Sequence, residues 1–235
     1  MTKKGLSDCD SPFLVKGEKM KYTHILWDFN GTILNDVEAG IRSVNTLLKE
    51  RGLPIINSVA DYHAAFGFPI IDYYKRLGFD FDKEPYEVIA PIWVEQYLLN
   101  VKESKVFSDV TLAAEAFRAM GLRQIVMSAS ELGMLKKQLQ DLGLGDTFDD
   151  VYGLDNIHAS SKVYLAEKWR SENSGAVALM IGDTLHDAEV ARAIGADCVL
   201  VARGHQSKKT LIESGFAVVD DLTEVCRLIE LHNDL

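Results

Sequence analysis

The chain has 235 residues, with 25 Lys plus Arg against 35 Asp plus Glu and a formal net charge of −10. That length suits one large domain, or a core with a smaller insert, and buries enough surface to need no disulfide staples. The acidic balance excludes partners that need a broad basic face, nucleic acid and anionic membrane surfaces alike. A small anionic substrate is not excluded, because one metal ion and one lysine invert the sign of a pocket locally.

Three cysteines, Cys9, Cys198 and Cys226, lie in no CxxC or Cys/His cluster, so no zinc framework is readable. They fit buried thiols in a reducing cytoplasm. No apolar run approaches the ~18 residues of a spanning helix. Residues 1–19 are polar, lack the apolar stretch of a signal peptide, and are expected to be a disordered tail or leader.

In chain order, residues 22–29 form a short apolar run that closes on Asn30-Gly31, a buried strand followed by a tight turn. Residues 36–105 then break the pattern. Val37, Ile41, Val44, Leu47 and Leu48 fall at helical spacing, as do Ile70, Ile71, Tyr74 and Leu77, and again Val88, Ile92, Val94, Tyr97 and Leu98. Helix of that length between two strands far exceeds an ordinary connection, so the segment is expected to be an inserted helical subdomain. Its aromatics (Tyr62, Phe66, Phe68, Tyr73, Tyr74, Tyr86, Trp93 and Tyr97) read as the core of that bundle.

From there strands and helices alternate. Helices over 109–120, 161–171, 184–194 and 208–213 each precede a short apolar run, at 124–127, 177–181, 198–201 and 217–219. Such alternation implies βαβ units and a mostly parallel sheet. The expected fold is α/β: a Rossmann-like parallel-sheet core over 20–35 and 106–235, with a helical insert and no second sheet.

In an open parallel sheet, ligands bind outside the carboxyl ends of the strands. Asp28, Asn30, Gly31 and Thr32 follow the first strand, Ser128 and Ser130 follow 124–127, and Gly182, Asp183, Thr184 and Asp187 follow 177–181. Lys162 opens a helix that reaches the same edge. Singly, each has a bland reading: turn residues, a helix cap at Ser130 or at Thr184 with Asp187, a surface lysine. Together they need a physical reason. Buried carboxylates repel unless a cation sits between them, and an oxygen-rich cluster suits Mg²⁺. A hydroxyl and an ammonium beside it suit a phosphate.

These residues resemble the haloacid dehalogenase superfamily, on its phosphatase side, with a helical cap of the phosphoglycolate-phosphatase-like type. Four motifs carry the resemblance: Asp28-Phe29-Asn30-Gly31-Thr32; Ser128 after Ile125-Val126-Met127; Lys162; and Gly182-Asp183-Thr184-Leu185-His186-Asp187. The resemblance implies that Asp28 is nucleophile and metal ligand, that the backbone carbonyl of Asn30 and the Asp183 carboxylate complete the Mg²⁺ site, and that Asp187 supports it. It implies that Thr32, Ser128, Ala129 and Lys162 hold the phosphate, and that the insert is a cap closing over a small phosphorylated substrate. Within the cap, Gly67-Phe68-Pro69 resembles the loop that faces the active site, and His63 and Lys75 are candidate substrate contacts. Monomer and homodimer both stand.

One position departs from the family. The phosphatases usually carry Asp two residues after the nucleophile, where it protonates the leaving oxygen; here it is Asn30. An amide donates a hydrogen bond but exchanges no proton at neutral pH, and loss of a general acid costs roughly 10²–10⁴ in rate. Leaving groups that need little protonation, as in aryl or acyl phosphates, are then expected to outrun alkyl ones. Asn30-Gly31 is also a deamidation-prone pair. A degenerate protein that only binds a phosphorylated ligand is the alternative. Phosphonatase and dehalogenase chemistry rank lower: Lys49, Lys75 and Lys83 lie in no recognisable Schiff-base context, and a dehalogenase leaves Asp183 and Asp187 unexplained.

Overall fold

The computed structural model describes residues 21–157 and 161–233. The expected tail over 1–19, and Cys9 within it, lie outside the described residues. Six strands form one parallel sheet: β1 (His24–Trp27), β4 (Arg123–Glu131), β5 (Asp150–Leu154), β6 (Ala178–Gly182), β7 (Asp197–Val201) and β8 (Ala217–Val219). Their spatial order is β5-β4-β1-β6-β7-β8. The chain therefore builds outward from β1 on one side, then returns to build outward on the other. That reversal makes a crevice at the carboxyl end of β1. Trp27 is paired with both Val126 and Ile181, so the ends of β1 and β6 stand level there, beside the last part of β4.

The strands are apolar on both faces because helices cover both. Ile25 and Trp27 enter one core with Phe117, Leu135 and Val225; Leu26 enters the other with Ala166, Trp169 and Ala191. The helices concerned are α5 (Val110–Ala119), α6 (Leu132–Asp141), α7 (Val163–Glu172), α8 (Leu185–Ile194), α9 (Lys208–Ile212) and α10 (Leu222–Asn233). Among the described residues, no helix is long and apolar enough to cross a membrane.

A second, two-stranded sheet exists, contrary to expectation: β2 (Leu34–Asn35) pairs antiparallel with β3 (Lys105–Val106). Between them lie four helices, α1 (Val37–Glu50), α2 (Val59–Ala65), α3 (Ile70–Arg76) and α4 (Tyr86–Asn100). They share their own core, in which Val44, Leu47 and Leu48 meet Tyr74 and Ile89. Two-residue strands carry no periodicity, so the neck was invisible in the sequence.

Three other differences have simple causes. β5 has no counterpart in the sequence pattern, because its Asp150-Val-Tyr-Gly-Leu run is a half-buried edge strand without continuous apolar character. α6 and α10 are likewise additional to the expected helices. Finally, Ser128, Ala129 and Ser130 do not follow the strand but lie within it. β4 continues to Glu131, its register against β5 shifting between Met127 and Glu131.

Candidate active site

β1 ends by presenting Asp28, whose backbone N–H donates to Ile181 O at 2.8 Å and ties it to β6. The chain then turns back: Ile33 and Leu34 both donate to Phe29 O at 2.9 Å. Gly31 holds φ +73°, and a Cβ there would meet Asp183 Oδ2 at 2.2 Å. Glycine lets the first turn approach the fourth motif this closely.

Asp183 is fully buried. It accepts from Thr32 Oγ1 at 3.1 Å and from the His205 N–H at 2.6 Å. Asp187 closes the helix start behind it, accepting on Oδ2 from Thr184 Oγ1 at 2.7 Å, Thr184 N at 2.9 Å and Asp183 N at 3.1 Å. Lys162, 2% exposed, bridges the group. Its ammonium donates to Asp28 Oδ1, to Met127 O at 3.0 Å and to Asp187 Oδ1 at 2.7 Å.

Asp28, Asp183 and Asp187 each offer a carboxylate oxygen within 4.8 Å of the others, and all three are buried. Burial holds Asp28 well above the usual carboxylate range; Lys162 offsets part of this, and the charges of Asp187 and Asp183 add to it. Burial likewise pushes Asp183 up to about 6, against the pull of His205. Burial would lower Lys162, but the Asp187 and Asp28 carboxylates outweigh it and hold the ammonium above its ordinary range. Three buried carboxylates with one lysine among them leave negative charge uncompensated. A hard divalent cation with oxygen preference fits that donor set. Asp187 has both oxygens engaged by protein donors, so it fits an orienting place better than a direct one.

The position of the missing carboxylate is fully engaged. Asn30 donates its amide to Asp36 Oδ2 at 2.7 Å and to Tyr97 OH at 2.7 Å, and accepts from Ser130 Oγ at 3.0 Å. Asp36 also accepts from Gly31 N at 2.9 Å and Tyr97 OH at 2.7 Å, and lies 3.3 Å from His205 Nε2. Tyr62 OH meets the other His205 nitrogen at 2.8 Å. Burial would lower His205, yet Asp36 and Asp183 raise it to about 9. Burial would raise Asp36, but His205, Tyr97 and Asn30 bring it below its ordinary value.

The remaining sequence-derived candidates divide. Ser128, Ala129, Asp28, Lys162 and Asp183 line one cavity of about 150 Å³. Thr32 is wholly buried behind Asp183. Phe68 faces the site and stacks on His186, ring centres 4.4 Å apart. Gly67 is buried beside Arg76 and Gln206. His63 Nε2 meets Gly204 O at 2.9 Å and so ties cap to core. Lys75 is exposed and pairs with Asp72 at 3.2 Å. Lys49, Lys75 and Lys83 are all exposed, and Lys162 is the single lysine among the described residues that line the cavity.

Two things escaped the sequence. One is His205, which lies four residues beyond the end of β7 and lines the same cavity as Asp28. The second is what the eight aromatics of the insert face: Tyr62, Tyr73 and Tyr74 are buried in its core with Phe66, Tyr86 and Trp93 packed against them, as expected. All eight border the cavity while packing on one another, with Trp93 and Tyr97 stacked at 5.0 Å and Tyr62 and Phe66 at 5.1 Å. Helical periodicity marks the inward face of a bundle, and here that face meets a hole as well as its neighbours.

A family profile described as haloacid dehalogenase-like hydrolase matches residues 25–201. The chain belongs to this family. A phosphoglycolate phosphatase of Thiobacillus denitrificans is 25% identical over 217 residues, covering 87% of this chain and 94% of its own. A 5'-nucleotidase of Pseudomonas aeruginosa is 25% identical over 197 residues, covering 82% and 88%. Among solved structures, a haloacid dehalogenase-like hydrolase from Streptococcus pneumoniae superposes with a TM-score of 0.75 at 20% identity, covering 89% of this chain and 99% of that one. Its fold is the fold described above.

Proposed function

We propose that the chain is a Mg²⁺-dependent phosphatase that passes the phosphoryl group of a small phosphorylated metabolite to Asp28 and then to water. The observation that carries this reading is the constellation at the strand ends: Asp28 and Asp187 both paired with Lys162, and an Asp183 oxygen within 4.8 Å of the other two carboxylates. A relative named phosphoglycolate phosphatase, alignable over most of both chains, supports the same reaction class.

An Asp28 carboxylate oxygen attacks phosphorus, the bond to the leaving oxygen breaks, and an aspartyl-phosphate forms. Water then attacks phosphorus, releasing inorganic phosphate and regenerating the carboxylate. Lys162 aims Asp28 and supplies positive charge to the phosphoryl oxygens as charge develops on them. Ser128 and Ala129, on the cavity floor, hold those oxygens, and Thr32 fixes the rotamer of Asp183. Asp28, Asp183 and the Asn30 carbonyl are the groups that would hold Mg²⁺, with Asp187 securing the backbone of Asp183. When bound, the ion offsets the charge of the carboxylates and phosphate and aligns them.

The test is phosphate release from a panel of phosphorylated metabolites, with and without chelator, by the protein and by Asp28→Asn. The expected result is turnover that needs Mg²⁺ and vanishes in the variant. Turnover that survives Asp28→Asn overturns the mechanism. Asn30 favours a second reading, a protein that binds a phosphorylated ligand without turning it over. Saturable binding with no turnover of any ester decides for that one.

A further inference from the structure

The geometry points to a substrate whose leaving group is a planar aromatic with no charged substituent: an aryl monophosphate, not an ester of an anionic alcohol. The inference rests on the phosphatase reading and names its substrate class.

Above the phosphate site, the described walls carry no uncommitted cation. Lys162 bridges Asp28 and Asp187. His205 stands between Asp36 and Tyr62. His186 meets Glu189 at 3.0 Å on one nitrogen, accepts from the Lys162 N–H at 3.2 Å on the other, and has its ring face covered by Phe68. Two carboxylates, Asp36 and Glu131, border the same cavity. Asp36 is paired with His205 and Glu131 caps the first turn of α6, so among the described residues a carboxylate or second phosphate on the leaving group finds two carboxylates and no free cation.

The rest of the wall is ring and hydrocarbon. Phe66, Phe68, Trp93 and Met134 border it, and Tyr62 and Tyr97 commit their hydroxyls to His205 and Asp36. These tyrosines thus contribute faces rather than hydrogen bonds. Aromatic walls hold a flat apolar guest by burial and ring contact.

The chemistry at residue 30 agrees independently. When the P–O bond breaks, its electron pair leaves on the ester oxygen. A phenol ionises near the tyrosine value of about 10, far below an aliphatic alcohol. A phenolate therefore departs unprotonated and takes its proton from water afterwards. Asn30 supplies none and none is required.

The experiment compares kcat/KM for phenyl phosphate, benzyl phosphate and 2-phosphoglycolate on the full chain with Mg²⁺. Benzyl phosphate keeps the ring but restores an alkyl leaving group. The expected order puts phenyl phosphate at least about 100-fold above 2-phosphoglycolate, as loss of a general acid implies. Benzyl phosphate is expected to compete with a KI near the KM of phenyl phosphate while turning over at least tenfold more slowly. Gly40→Leu, which adds bulk to the cavity wall near Tyr62, is expected to raise KM for phenyl phosphate more than for methyl phosphate. Equal use of 2-phosphoglycolate and phenyl phosphate overturns this inference and leaves the phosphatase reading standing. No turnover of any ester overturns the phosphatase reading itself.

Discussion

The amide of Asn30 donates to the carboxylate of Asp36 at 2.7 Å, inside a site where Tyr97 donates to the same oxygen. The acidic group two residues after the nucleophile is thus not merely absent. Its place is taken by a donor that Asp36 uses. Asn30→Asp alone puts two carboxylate oxygens at hydrogen-bond spacing in a buried site, and one must protonate or move. We expect the single variant to lose about 1.5–3 kcal/mol, the scale of a hydrogen bond to a charged group, with no gain in turnover. Asn30→Asp with Asp36→Asn inverts the pair and should recover stability and raise turnover of alkyl phosphates. Melting temperatures and phosphate release from both variants decide; a gain in the single variant counts against the coupling.

Asn30 should also resist deamidation. The reaction needs the Gly31 nitrogen to attack the Asn30 side-chain carbonyl. That nitrogen donates to Asp36 Oδ1 and Leu34 O, both at 2.9 Å, and the amide is held on both of its atoms. Peptide mass spectrometry after incubation at neutral pH should find Asn30 intact in the folded protein and converted in urea. Equal conversion in both would mean that the turn opens readily.

Lys162→Met removes the charge bonded to Asp28 and Asp187 and leaves both carboxylates buried. Breaking such a pair costs about 3–5 kcal/mol. The urea midpoint, measured with chelator present, should fall accordingly. Adding Asp187→Asn should recover part of the loss by removing one of the uncompensated charges. An unchanged midpoint in Lys162→Met would show that water, not the lysine, stabilises these carboxylates.

Gly31→Ala and Gly52→Ala separate strain from crowding. Both glycines hold positive φ, +73° and +65°. A Cβ at Gly52 meets nothing within 4 Å, whereas at Gly31 it meets Asp183 and His205 inside 3 Å. Backbone strain of this kind costs about 1–3 kcal/mol. We expect Gly52→Ala to lose that alone, and Gly31→Ala to lose more and to bind Mg²⁺ more weakly by calorimetry. Equal losses would mean that Asp183 gives way at no cost.

The sheet and the acidic cluster were legible in the sequence. Short apolar runs alternating with helices marked the parallel core, and the residues after β1 and β6, with those in the last part of β4, meet at the crevice. Both follow from local rules: a strand buried on two faces is continuously apolar, and a parallel sheet gathers its strand ends at one edge. β5 and the β2–β3 neck were not legible, because an edge strand with Asp and Gly, and strands of two residues, carry no such pattern.

The sequence by itself fixed that Asp28, Asp183, Asp187 and Lys162 belong together and that residue 30 is an amide. Only the tertiary structure decided what that amide does. Its partners Asp36, Tyr97 and Ser130 come from the insert and from a strand 100 residues away. It also decided that the aromatics of the cap border a cavity. Periodicity reports which side of a helix is apolar, but a ring facing a neighbour and a ring facing a void satisfy it equally. Which of the two holds depends on how the insert sits over the strand ends, and Asn30–Tyr97, Tyr62–His205 and Phe68–His186 tie it there.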